Sequence, residues 1–399
     1  MIRQSRRVVV VSQHYPPDRS TTATIMAAIA ERMALQSEVI VLSGSAGSGV
    51  PGSAGHPEVV QVRNRMPNKA RLVRRAMVEL LFTVRIFVAM LKKFRYGDVA
   101  LTVPAPFTLQ YAFAAACKLT GARSVLVLHD LYPDVLVAAG LLKTSSRLAR
   151  VMRWLNTRTF RVLDAVVVIG RDTEKLLLGH AGMTSSKIRF IPNWTTLAPG
   201  VRAITPENPY RCSLSARYVV GLSGNLGFTH DPLVVFEAAR LLREDNGIHF
   251  LLSGWGVGFD KLKVMQRETK LPNVTIVDRV DDEQLETFLS AADAWIIPYR
   301  ANAAGASVPS RFYNLLAIGR PVILVSEADA EAALTITEHD IGWVVEPGKA
   351  EELAKVVKRA AASVDVERAK RAVEISRRFD YETAMTKYCR LVDDLAEKE

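Results

Sequence analysis

Apolar residues in this chain gather into short unbroken runs, separated by longer stretches with helical spacing. Runs rich in Val, Ile and Leu occupy 7–12, 38–43, 59–62, 99–103, 124–129, 165–169 and 188–191. A second series occupies 218–223, 249–253, 274–277, 294–297, 322–325 and 342–345. β-Branched runs without in/out alternation predict parallel strands buried on both faces. Their alternation with helical patterns predicts an α/β architecture, with one doubly wound parallel sheet in each half.

A chain of 399 residues exceeds one ordinary core, so two domains are expected. The predicted division is an N-terminal domain at 1–200, a linker at 201–217 and a C-terminal domain at 218–380. A terminal helix at 381–399 is expected to pack back on the first domain. The linker assignment rests on Pro199, Gly200, Pro206 and Pro209 in a stretch with no periodicity. Residues 44–57, rich in glycine and serine, read as a loop. Two such domains are expected to face each other across a cleft at the carboxyl ends of their strands.

A hydrophobic share of 49% with 23% charged residues is that of a globular chain, neither disordered nor membrane-spanning. Cys117, Cys212 and Cys389 are odd in number and far apart, which gives no disulfide framework and no metal-ligand spacing. A reducing, cytoplasmic compartment is expected. The basic and apolar start of the chain runs straight into a turn and reads as a buried strand rather than a signal. The apolar segment 76–91 carries Glu79 and Arg85, which argues against a transmembrane span.

Charge changes this picture more than composition does. Residues 1–205 hold 28 Lys/Arg against 11 Asp/Glu, a net +17, whereas 206–399 carry −6. Two domains with different partners are therefore expected. Residues 69–95 contain eight basic side chains against one acidic, interleaved with Leu, Phe, Met and Val. Such a segment can lie in a bilayer interface, with Arg71, Arg74, Arg75, Lys92 and Lys93 near anionic headgroups. The plainer alternative is a helix that packs on its own sheet. Nucleic acid is not expected, because stacking aromatics are sparse and no reader motif is present.

Candidate chemistry falls in loops that follow strands. At 305–323, Pro309 and Ser310 open a short helix, Gly319 closes it and Pro321 leads into the next strand. Arg311 sits in the first turn, and together with the backbone of Ser307, Val308, Pro309 and Ser310 it forms a candidate phosphate site. In the turn after 218–223, Gly224 and Gly227 flank Asn225 and would let the backbone approach a diphosphate. Asp231 and Pro232 then suit a helix start. An ordinary strand-to-helix turn is the competing reading. Residues 253–258 do not spell a dinucleotide fingerprint, so no such cofactor is expected. In the first half His129 and Asp130 end a strand, with Asp134 just beyond. His14 and Arg19 occupy the loop after the first strand. A polar pair at a strand's carboxyl end can hydrogen-bond a sugar, and a histidine that merely caps a turn is the alternative.

Four segments together carry a family resemblance: His14 to Pro17, His129 to Asp134, Ile188 to Trp194, and the block from Ala291 to Ile323. Over nearly its whole length the chain resembles glycosyltransferase family 4, the retaining GT-B enzymes. The bacterial colanic-acid and fucosamine type is the nearest likeness. The resemblance implies two Rossmann-like domains and a UDP- or GDP-linked sugar as donor; no other cofactor is expected, and independence of metal is expected because the sequence shows no metal-ligand cluster. It implies that His129 contacts the transferred sugar and that Asn225 and Gly227 lie against the diphosphate, with Arg311 neutralising it. Asn314 would face the ribose and Arg279 would flank the base. His14, Arg19, Asp130 and Asp134 fall to the acceptor side.

The family's two glutamates, eight positions apart, correspond to Ala306 and Asn314, and its Arg and Lys in the first phosphate loop to Asn225 and about Thr229 to His230. The implied activity is transfer of a hexosyl or N-acetylhexosaminyl unit to a polyprenyl-diphosphate-linked saccharide at the inner face of the plasma membrane, in cell-surface polysaccharide synthesis. A catalytically inactive nucleotide-sugar-binding partner and a nucleotide-sugar 2-epimerase are the alternatives.

Overall fold

The computed structural model describes residues 6–47, 55–64, 72–363 and 365–397, with backbone alone at 72–76. The chain divides into two compact units. Unit 1 comprises 1–132, 147–191 and 382–399; unit 2 comprises 133–146 and 192–381.

Unit 1 runs β1 (Arg7–Ser12), α1 (Thr21–Ala34), β2 (Glu38–Ser43), β3 (Glu58–Gln61), α2 (Leu72–Lys93), β4 (Val99–Thr102), α3 (Leu109–Thr120) and β5 (Arg123–Leu128). After α4 (Asp134–Ala138), which groups with unit 2, come α5 (Arg147–Val162), β6 (Ala165–Val168), α6 (Asp172–Leu178) and β7 (Ile188–Phe190). The seven strands are all parallel, in the order β3-β2-β1-β4-β5-β6-β7. Val8 pairs with Val39 on one side and with Val99 on the other, so β1 is central. Val8 to Val11 have no exposed surface, as expected of a strand covered by helices on both faces.

Unit 2 follows with β8 (Tyr218–Leu222), α7 (Pro232–Leu241), β9 (Ile248–Ser253), α8 (Val257–Thr269), β10 (Val274–Val277), α9 (Leu285–Leu289) and β11 (Ala294–Pro298). It continues through α10 (Arg311–Ala317), β12 (Val322–Val325), α11 (Glu331–His339), β13 (Gly342–Val345), α12 (Ala350–Ala362) and α13 (Val366–Ser376). Its six parallel strands are ordered β10-β9-β8-β11-β12-β13. Helix α14 (Tyr381–Ala396) returns the chain to unit 1. There Arg6 pairs with Asp393 and Glu397, and Arg32 lies 3.7 Å from Glu382.

Two sequence expectations need correction. Residues 201–217, read as a linker, belong to unit 2 and are fastened to it. Arg202 Nε donates to Glu286 at 2.5 Å, Asn208 Nδ2 to the Thr287 carbonyl at 2.8 Å, and Arg211 Nη1 to Asp293 at 2.8 Å. Prolines removed the periodicity but not the anchoring side chains. The second correction is that 133–146, assigned by sequence to the first domain, groups with unit 2. The expected loop at 44–57 lies partly outside the described residues.

Candidate functional site

In unit 2 the strand order reverses between β8 and β11, the place where open parallel sheets take ligands. The loops leaving these two strands are zipped together. Asp231 N donates to the Pro298 carbonyl at 2.9 Å, Arg300 N to the Thr229 carbonyl at 2.8 Å, and Arg300 Nε to the His230 carbonyl at 3.0 Å. The Asp231 side chain caps α7 through Leu233 N, with Pro232 in the first helical position.

The turn after β8 also lies backbone to backbone on the turn after β9. Leu226 N donates to the Trp255 carbonyl at 2.8 Å, and Trp255 N to the Gly224 carbonyl at 3.3 Å. A β-carbon on Gly254 would stand 2.2 Å from the Gly224 carbonyl oxygen, so no larger residue fits there without moving a turn. Gly224 itself has φ +99°, a conformation only glycine adopts readily.

Arg311, the first residue of α10, reaches back to this turn. Its Nη1 donates to the Ser223 carbonyl and its Nη2 to the Asn225 carbonyl. Burial pulls its pKa down to about 10, Tyr299 acting in the opposite direction, so the side chain stays cationic at neutral pH. A guanidinium carries five N–H groups, and these two bonds leave others for an incoming anion. The cation is thus fixed against the glycine turn.

Beside it, the His230 imidazole stacks on Tyr299 with centroids 4.8 Å apart and planes at 25°. Its Nε2 is buried and has no hydrogen-bond partner among the described residues. Burial, reinforced by the Arg311 charge, holds its pKa well below the usual histidine value, so the ring is neutral. Trp255, on the turn after β9, has its ring centroid 4.3 Å from the guanidinium of Arg279, which follows β10. This makes an exposed plate that can stack on an aromatic base.

The other residues singled out by sequence are placed unevenly. Asn225 is exposed and Gly227 partly so, both in the β8 turn. Val308 and Pro309 are buried, Ser307 is half-buried, and Ser310 stands at the N-cap of α10 without a side-chain capping bond. Asn314, expected against a ribose, holds the 195–196 segment. Its Oδ1 accepts from Thr195 Oγ1 at 3.0 Å and from Thr196 N at 2.8 Å, and its Nδ2 donates to Thr196 Oγ1 at 3.1 Å. Ala306 is buried and brings no carboxylate.

In unit 1, His14 Nδ1 lies 2.6 Å from Asp18, which also accepts from Ser20 N. Burial acts against the Asp18 carboxylate, but the His14 and Ser20 bonds outweigh it and hold its pKa below the usual value. Arg19 is exposed beside this pair. His129 follows β5 with a buried Nε2 that has no partner among the described residues, and burial lowers its pKa to about 4. Asp130 adjoins it in unit 1, whereas Asp134 opens α4 in unit 2.

Of the basic residues in the 69–95 segment, Arg71 lies outside the described residues and Arg74 and Arg75 are described by backbone only. Lys92 is exposed, and Lys93 lies 3.5 Å from Glu58. Helix α2 buries Phe82, Ile86 and Met90 on its own sheet while exposing Met77, Leu80, Leu81, Val84, Val88 and Leu91. Among the described residues no helix is long and apolar enough to cross a membrane, and no cluster of His, Cys, Asp and Glu is placed to hold a metal ion.

Sequence reading singled out neither Trp255 nor Tyr299 as a site residue. The signal for Trp255 was present, since an aromatic set between two glycines in a turn after a strand has little core to fill.

Known proteins agree with this layout. Residues 20–194 match the Glycosyl transferase 4-like domain and 214–379 match Glycosyl transferases group 1. The chain is 26% identical to the probable glycosyltransferase WbjE of Pseudomonas aeruginosa, over 88% of each protein. It is 27% identical to the putative colanic acid biosynthesis glycosyl transferase WcaI of Escherichia coli, over 61% of each. In fold it is similar to sucrose-phosphate synthase from Thermosynechococcus elongatus, with a TM-score of 0.76 at 17% identity over 98% of this chain and 99% of that one. Anabaena HepE, solved in complex with UDP, gives a TM-score of 0.68 at 15% identity, covering 97% of this chain and all of that one. With both halves matched in order and both sheets wound as the fold requires, the chain belongs to glycosyltransferase family 4 and has the GT-B fold.

Proposed function

We propose that this glycosyltransferase takes its sugar from a nucleotide diphosphate donor held in unit 2 and passes it to a saccharide carried on a polyprenyl diphosphate, in the assembly of a cell-surface polysaccharide. The observation that carries the donor assignment is the Arg311 guanidinium fastened to the glycine turn of Ser223 to Asn225. A diphosphate placed on that turn meets a positioned cation, which stabilises charge as it builds on the leaving group. The neutral His230 ring stands near that cation with its Nε2 unpartnered among the described residues, and the Trp255–Arg279 plate offers a stacking surface to the base. Names of relatives support the polysaccharide setting, and HepE's complex with UDP supports a uridine donor.

The acceptor falls to unit 1, through His14, Arg19, Asp130 and His129. His129, neutral because of its burial, would hydrogen-bond the transferred sugar rather than bear charge. Retention of configuration and independence of metal belong to the same proposal. So does a cytoplasmic position at the inner face of the plasma membrane, supported by the exposed apolar side of α2 and the +17 balance of residues 1–205.

A second reading, a nucleotide-sugar binder without turnover, is favoured by the lack of a carboxylate at Ala306. Incubation with labelled UDP- and GDP-sugars, with and without lipid-linked acceptor, separates the possibilities. Label in the lipid fraction supports transfer. Binding without turnover supports the second reading, and an altered free sugar nucleotide points to epimerisation.

A further inference from the structure

Helix α5 carries an outer face that the activity does not use. Its buried side is fixed by Ala149, Met152, Thr159 and Phe160, and by Asn156, which accepts from Tyr111 Oη at 2.9 Å and donates to the Tyr132 carbonyl at 2.5 Å. With the helix so pinned, Leu148, Val151 and Trp154 are left 56%, 52% and 55% exposed along one stripe. Arg147, Arg150, Arg158 and Arg161 are exposed around them. The whole helix has five arginines and no Asp or Glu. Arg158 lies over the Trp154 ring at 4.5 Å, its charge carried outward beside an aromatic body.

We infer that α5 is a second lipid-facing helix of unit 1, which inserts Leu148, Val151 and Trp154 among the headgroups of an anionic bilayer while its arginines bind the phosphates. Charge decides the occupant. An apolar stripe flanked on its own helix by arginines and by no acidic residue suits a surface that is apolar below and anionic above, and tryptophan favours that boundary. Continuity points the same way. Helices α2 and α5 both pack on α3, so the exposed apolar residues of α2 and those of α5 flank one helix of the same layer. The inference rests on the proposed membrane association and adds a contact that does not depend on α2.

The test is flotation of the full chain with vesicles of phosphatidylcholine, alone or mixed with phosphatidylglycerol. Three proteins are compared: wild type, an α5 variant (Leu148→Ser, Val151→Ser, Trp154→Ser) and an α2 variant (Leu80→Ser, Val84→Ser, Val88→Ser). Wild type is expected to float with the anionic vesicles, and the α5 variant to lose at least about tenfold in partitioning while its thermal midpoint and nucleotide binding stay unchanged. Flotation of the α5 variant at the wild-type level overturns the assignment of α5 and leaves membrane association to α2. Failure of wild type to float overturns both. Equal binding to neutral vesicles overturns the role given to the arginines.

Discussion

His230 lies face to face with Tyr299, ring centroids 4.8 Å apart, and this stack joins the loops leaving β8 and β11 at the point where the strand order of unit 2 reverses. The imidazole is neutral and its Nε2 is buried without a partner among the described residues. A ring held in this way has a defined response to acid.

Because the folded-state pKa of His230 is depressed, protons favour the unfolded chain, whose histidines titrate near 6.5. Stability from this source is intact above that pH and is lost as pH falls below it; His129, at about 4, acts in the same sense. Each histidine should remove about 1.4 kcal/mol per pH unit below the unfolded value. Thermal unfolding followed from pH 7.5 down to 5.5 should show the midpoint falling, and His230→Gln should flatten the slope. An unchanged slope in that variant would mean that the ring is already charged or exposed.

Arg311→Ala leaves the Ser223 and Asn225 carbonyls without their cationic donor, a loss of about 1.5–3 kcal/mol for hydrogen bonds to a charged group. The variant is expected to remain folded, with a lower midpoint and no measurable transfer. Arg311→Lys should recover part of the stability but little activity, since an ammonium cannot span two carbonyls in the guanidinium's geometry. Calorimetric titration with UDP provides the check. Affinity equal to wild type in both variants removes Arg311 from the donor site.

Gly254→Ala places a methyl group 2.2 Å from the Gly224 carbonyl. One turn must shift, at a cost typical of overpacking, about 1–3 kcal/mol. Donor affinity should fall together with stability because the displaced atoms are those of the proposed phosphate loop. Unaltered affinity at a reduced midpoint would detach that loop from the nucleotide.

Asn314→Ala should act differently. It breaks the bonds to Thr195 and Thr196, so about 1–3 kcal/mol of stability is lost through donors left unsatisfied. Nucleotide affinity should change by less than the midpoint implies. A large selective loss of affinity would return Asn314 to the ribose.

The framework was legible because each strand is a compact β-branched run bounded by turn residues, as in Val8 to Val11 and Val322 to Val325. Helix ends were equally plain where chemistry dictates them, at Asp231 and Pro232. The partners of Arg311 were hidden because they are backbone carbonyls, which no residue identity encodes. Arg202, Asn208 and Arg211 were overlooked for a related reason: prolines mark a break in secondary structure, not in packing. Helix α5 escaped notice because its arginines and apolar residues alternate in sequence and separate into a stripe only when wound at 3.6 residues per turn.

The ion pairs of Arg6 with α14 bear on the order of assembly. Arg6 and Glu397 are 391 positions apart, so on the ribosome all of unit 2 emerges before unit 1 receives its last helix. The second unit can therefore fold while the first is still open along the flank that α14 will cover, and that flank is where a chaperone or a protease would find the nascent enzyme.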